Sequence, residues 1–159
     1  MDLLPFIQWC EASTVGTAIR TSSWAFAVIE SIHLLGLAVI GGAVLVVDLR
    51  LLGLGLRDQP IKHVARDASP WFVGSLIVML VTGVLLFLSE ATKCYNSYPF
   101  SVKIASLVLA ILFTFTLRRI VTSGDDLRFH PLVYKATAVV SLALWSGVGG
   151  GGRWIGFSG

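Results

Sequence analysis

Four long tracts of this chain contain no Asp, Glu, Lys or Arg: Ser31 to Val47, Ala68 to Ser89, Ile104 to Leu117 and Ala136 to Gly152. A hydrocarbon layer about 30 Å thick is crossed by about 20 residues of helix. Each tract reaches that length once flanking polar side chains extend their heads to the interface. Helices of a soluble bundle would carry polar outer faces, and these tracts do not. Charged residues make up 13% of the 159 residues, against about 25% in soluble domains. The expected fold is an all-α integral membrane four-helix bundle, one membrane domain over residues 1–159 with spans at approximately 22–47, 70–89, 101–118 and 132–150.

The basic residues set an orientation. Arg50, Arg57, Lys62, Arg66, Arg118, Arg119, Arg128 and Lys135 fall at the end reached by the first and third connections, and Arg20, Lys93, Lys103 and Arg153 at the other. The positive-inside rule then places those two connections in the cytoplasm and both termini outside a bacterial inner membrane. Met1 to Cys10 lacks a basic region followed by an unbroken apolar run, so the first span is expected to direct insertion itself. The formal charge of +3 describes this asymmetry and gives no nucleic-acid footprint, because acidic residues interrupt the basic ones and no stacking array stands beside them. Arg118, Arg119 and Arg153 are expected to contact phospholipid or a partner protein. Cys10 and Cys94 are too few for a metal or haem-attachment motif; they are two separate thiols or, sharing one side, a disulfide.

Local signals divide the spans. Leu3, Leu4, Phe6, Ile7 and Trp9 form an amphipathic lead-in along the outer interface. The stretch Leu51 to Leu56 reads as a surface elbow, and Ser69-Pro70-Trp71 as cap, helix-compatible proline and interfacial anchor opening the second span. Lys103 is expected to reach back to the outer interface, and Gly124-Asp125-Asp126 with Pro131 to punctuate the return into span four. Gly147 and Gly149 to Gly152 are expected to end that span, leaving Arg153, Trp154 and Phe157 as an anchor. Gly36, Ala38 and Gly42 slim one side of span one, suiting close helix packing.

Glu30 and His33 stand one helical turn apart inside the first span, and ionisable groups at that depth are expensive unless partnered. They can satisfy each other as a packing pair. Alternatively they serve a cofactor: an imidazole can bond a quinone or ligate a haem b iron, and a carboxylate can accept a proton during redox turnover. A carboxylate-bridged metal pair would need a second Glu-x-x-His, and there is none. His63 and His130 share the inner side and can form a relay or a peripheral metal contact; neither lies at the depth of His33.

The segments Glu30-Ser31-Ile32-His33-Leu34-Leu35-Gly36-Leu37, Val47-Asp48-Leu49-Arg50-Leu51-Leu52-Gly53, Phe100-Ser101-Val102-Lys103 and Gly152-Arg153-Trp154-Ile155 together resemble a broad family of small, uncharacterised bacterial four-span membrane proteins, from about Trp24 to Phe157. A distant architectural likeness to membrane cytochrome-b-like bundles also exists, although those carry several intramembrane histidines. The expected role is a membrane subunit of a redox complex that contacts quinone or haem and works in a homo-oligomer or beside other redox subunits, with no autonomous reaction. A non-catalytic structural subunit or a small transporter is the alternative.

Overall fold

In the computed structural model, residues 3–124 and 129–155 are described, apart from the Ile155 side chain. Two short helices, α1 (Leu4–Glu11) and α2 (Thr14–Thr21), precede α3 (Ala25–Leu52) and α4 (Ile61–Ser89). A short α5 (Ala91–Tyr95) leads to α6 (Tyr98–Phe113), which runs through a π-helical turn at Thr114–Arg118 into α7 (Arg119–Ser123). The last helix is α8 (Pro131–Ile155). Four helical stretches, α3, α4, α6 to α7 and α8, are long and apolar enough to cross a membrane. The protein is an all-α membrane bundle. Leu34, Leu35, Ile77, Val84, Leu109, Leu112 and Val139 are exposed around it, as an apolar solvent permits.

The helices overrun the expected punctuation. Leu51 and Leu52 belong to α3, which ends at Gly53, whose φ of 74° suits glycine; Leu54 N–H then bonds the Leu49 carbonyl at 3.0 Å. Pro70 does not open the second span but sits inside α4, whose first turns are the polar residues after Pro60. Gly149 to Gly152 do not end α8 either, which stays helical to Ile155. At membrane depth an unwound glycine run would leave backbone groups unpaired, so helix is retained despite its entropy cost. The glycines also serve packing: a Cβ on Gly147 would lie 2.8 Å from Ser106 Oγ, and one on Gly151 3.1 Å from Lys103 Cβ and 3.3 Å from its Cα. Gly147 and Gly151 thus form the small-xxx-small face on which α6 rests.

Three apolar clusters stack along the bundle. At its middle are Ile40, Val44, Phe72, Leu76, Met79, Ala110, Trp145 and Val148, where Phe72 and Trp145 meet edge to face at 5.4 Å. Val47, Leu51, Ile61, Val64, Val121, Tyr134 and Ala138 close the end near the α3–α4 connection. At the opposite end Ile7 and Cys10 of α1 are buried with Ala91. The amphipathic lead-in is therefore split: Ile7 faces the bundle, while Phe6 and Trp9 stack on each other outside it. A polar clasp holds this cap. Glu11 Oε2 accepts from the Thr92 N–H at 2.8 Å, and Arg20 Nη1 donates to Glu11 Oε1 at 3.3 Å and to the Ser89 carbonyl at 3.2 Å. The bonds from Thr92 hold the Glu11 carboxyl below its ordinary range.

Candidate functional site

His33 is 7% exposed and turned towards α4. Gly83 makes room for it: a Cβ there would stand 3.3 Å from His33 Cε1. The ring's Nδ1 lies 2.9 Å from Thr82 Oγ1, and that hydroxyl gives its proton to the Val78 carbonyl at 2.6 Å. With its proton committed, Thr82 can only accept from the ring, so Nδ1 carries the hydrogen and Nε2 presents a lone pair. Lys103 Nζ faces Nε2 at 3.5 Å. Lys103 therefore does not reach back to the interface; its stem crosses Gly151 and Gly152 of α8 and delivers the ammonium inward.

His33 and Lys103 lie on the walls of two cavities. One, of 350 Å³, is an apolar cleft between α4 and α6 lined by Met79, Leu80, Val84, Phe87, Phe100 and Ile104 beside the polar pair. Leu80, Val84 and Ile104 on its rim are exposed to the lipid side. Its volume lies within the range of about 300–1,000 Å³ usual for small-molecule sites. The other, of 630 Å³, is a polar vestibule whose walls include Glu30, Glu90, Lys93 and Arg153. Glu30 is exposed and shares this vestibule with His33, but no hydrogen bond joins the two among the described residues. The partners of His33 are instead Thr82 on α4 and Lys103 on α6.

A second polar centre lies at the other end. Asp48 is fully buried and binds Arg118, whose Nε donates to Oδ1 at 3.2 Å and whose Nη2, 3.1 Å from that oxygen, completes the ion pair and donates to the Val44 carbonyl at 3.2 Å. Arg118 was expected to contact phospholipid or a partner protein, and its Nε and Nη2 are held inside the bundle. Thr114, one turn before Arg118 in the π-helical stretch, is buried with it, and Thr114 Oγ1 accepts from Trp145 Nε1 at 3.3 Å. Asp48 Oδ2 and Ser141 Oγ are buried without hydrogen-bond partners among the described residues.

The other expected residues are scattered. His130 Nδ1 accepts from the Leu132 N–H at 3.3 Å, capping α8, and His63 is exposed on α4; no bond joins them. Gly36 packs on Met79 Cγ and the Ser75 carbonyl, whereas Gly42 meets nothing within 4 Å and Ala38 is exposed, so within one chain only Gly36 makes the close approach. Arg119 and Arg153 are exposed. Cys10 and Cys94 are free thiols, and burial, then Glu90, pushes that of Cys94 up. Arg128, Asp125, Asp126 and Phe157 lie outside the described residues. No group of three or more His, Cys, Asp or Glu side chains suited to a metal ion occurs among the described residues.

Two features of the structure that sequence patterning did not single out nevertheless leave a trace in it. Gly147 and Gly151 have the spacing of a helix-packing face, and Asp48 and Arg118 are opposite charges bounding apolar tracts at one membrane end. Residues 6–158 match the model of DUF6644, a family of unknown function. The chain belongs to this family. No curated protein and no solved structure matches it. Membership of DUF6644 accords with the resemblance to uncharacterised membrane proteins, and nothing in these comparisons supports the likeness to cytochrome-b-like bundles.

Proposed function

We propose that this protein is a quinone-binding subunit of a membrane redox complex. The observation that carries the reading is the shared position of His33 and Lys103, between an apolar cleft open to lipid and a polar vestibule open at the membrane end. A quinone enters through the lipid-facing rim of the cleft. Its carbonyl oxygen accepts from the Lys103 ammonium, because His33 Nε2 has no hydrogen to give. A quinol hydroxyl in the same place donates to Nε2. Oxidation of the quinol releases two protons and two electrons: the protons leave in succession through His33 to the vestibule carboxylates Glu30 and Glu90, and the electrons pass to a redox group on a partner chain. Haem is less well suited, since Nε2 is already faced by Lys103 and both other histidines lie at the far end of the bundle.

Retention of decylubiquinone by the purified full chain, measured by absorbance after gel filtration in detergent, tests the reading. Lys103→Met is expected to weaken retention about tenfold, the worth of one charge-assisted bond, and His33→Leu to weaken retention of the reduced form, decylubiquinol, whose hydroxyl donates to Nε2. Retention unchanged in both variants would refute it. The structural-subunit reading is the one favoured by that outcome. A transporter would need a continuous polar path, but the apolar cluster around Phe72, Met79 and Trp145 separates the His33 and Asp48 centres.

The same reading places both termini and the α5 end outside a bacterial inner membrane, supported by the distribution of Lys and Arg. Impermeant thiol reagents applied to intact cells are expected to label Asn96→Cys and to spare Asp58→Cys; the reverse pattern inverts the topology. Gly42 and Ala38, both exposed, are the proposed contact for a second copy or a partner subunit.

A further inference from the structure

A third cavity, of 350 Å³, lies between α4 and the π turn at the opposite end from His33, with Ser69, Phe72, Val73, Phe115, Arg118 and Arg119 among its walls. Its character is that of an amphiphile site. Val73 and Phe115 are 37% and 42% exposed, so the apolar wall continues onto the lipid-facing surface of the bundle. At the polar end, Arg118 spends Nε and Nη2 on Asp48 and Val44, and Nη1 has no protein partner among the described residues. The guanidinium of the neighbouring Arg119 forms no ion pair with a described residue, and Ser69 supplies a hydroxyl on the facing helix. Asp48 offsets one of the two guanidinium charges, leaving a single net positive charge at the cleft. One phosphodiester carries the matching charge and suits guanidinium donors.

We infer that this cleft is a binding site for an anionic phospholipid of the leaflet at the α3–α4 connection. The phosphate lies between Arg118 Nη1 and the Arg119 guanidinium, and an acyl chain runs along Val73 and Phe115. The buried Asp48 holds the Arg118 side chain through the Nε bond and the Nη2 ion-pair contact at Oδ1, so the donor at the cleft is positioned before the lipid arrives. The inference does not depend on quinone binding, which concerns the other end of the molecule.

Native mass spectrometry of the full chain in detergent, titrated with dioleoyl phosphatidylglycerol or dioleoyl phosphatidylcholine, tests it. The anionic lipid is expected to form its first adduct at about one-tenth the concentration needed by the zwitterionic one. Arg119→Gln is expected to erase that preference while leaving the Asp48–Arg118 pair intact. Val73→Trp, which fills the cleft without changing charge, is expected to reduce binding of both lipids; if it fails to fold, Arg119→Gln decides alone. Equal binding of the two lipids by the natural chain, or an unchanged preference in Arg119→Gln, overturns the site. Displacement of phosphatidylglycerol by equimolar inorganic phosphate overturns the lipid assignment in favour of a free anion.

Discussion

Replacing Arg118 with Leu should be among the most destabilising single changes this bundle can suffer. Asp48 is fully buried, and its charge is met by Arg118, whose Nε donates to Oδ1 at 3.2 Å and whose Nη2 lies 3.1 Å from the same oxygen. Removing the guanidinium leaves an uncompensated carboxyl at membrane depth, which costs about 3–5 kcal/mol. Asp48→Leu strands Arg118, 9% exposed, at a similar cost of about 3–5 kcal/mol. Replacing both with Leu removes the charges together, and such exchanges are often neutral or stabilising. The double variant should therefore lie within about 1 kcal/mol of the natural chain once its packing change is included. Reversible unfolding in mixed detergent micelles, followed through the fluorescence of the core residue Trp145, gives the four free energies of the cycle. A coupling of about 5 kcal/mol or more is expected. Costs that add to within about 0.5 kcal/mol would mean the pair does not hold in the folded protein.

Other outcomes follow from single contacts. Gly151→Val should destabilise the bundle by about 1–3 kcal/mol by overpacking against Lys103, whereas Gly149→Ala, with nothing within 4 Å of the new Cβ, should be neutral or stabilising by up to about 1 kcal/mol; thermal unfolding in detergent compares them. Thr82→Val removes the acceptor of His33 Nδ1 and should cost about 1–3 kcal/mol by the same measurement, with Thr82→Ser retaining most of the stability. The Glu11 clasp should depend on acid pH: its carboxyl titrates below the ordinary glutamate value of 4.5, so its contribution is fully present above that value and fades as pH falls through the lower folded value. Hydrogen exchange in α1 should rise correspondingly below pH 4.5, and Glu11→Gln should remove that dependence; exchange in α1 with the same pH profile in both proteins would show that Glu11 does not hold the cap.

His33 was legible as a buried polar group because any imidazole inside a long apolar tract must find a partner. Its actual partners were not. Thr82 and Gly83 are unremarkable in a sequence, and Lys103 stands where an ordinary snorkelling lysine would stand. Glu30 suggested itself by spacing, yet spacing along one helix says only which residues share a face. Contact with Thr82 and Lys103 depends on how α3, α4 and α6 pack, and that packing rests on Gly83 and the Gly147 and Gly151 face.

By itself the sequence determined that the chain is helical and that four stretches of it can cross a membrane, because the hydrocarbon layer demands length, low charge and internally paired backbone. It did not determine which side of each helix faces inward. In water, apolar residues mark the core, but lipid tails are as apolar as a protein interior, so the periodicity that separates inside from outside is largely lost. Arg118 and Arg119 are adjacent and chemically identical, and only the way their helix is rotated against α3 sends the first to Asp48 and leaves the second exposed. Tertiary structure decided which polar groups meet, because at membrane depth each buried charge is satisfied only by a partner carried on another helix.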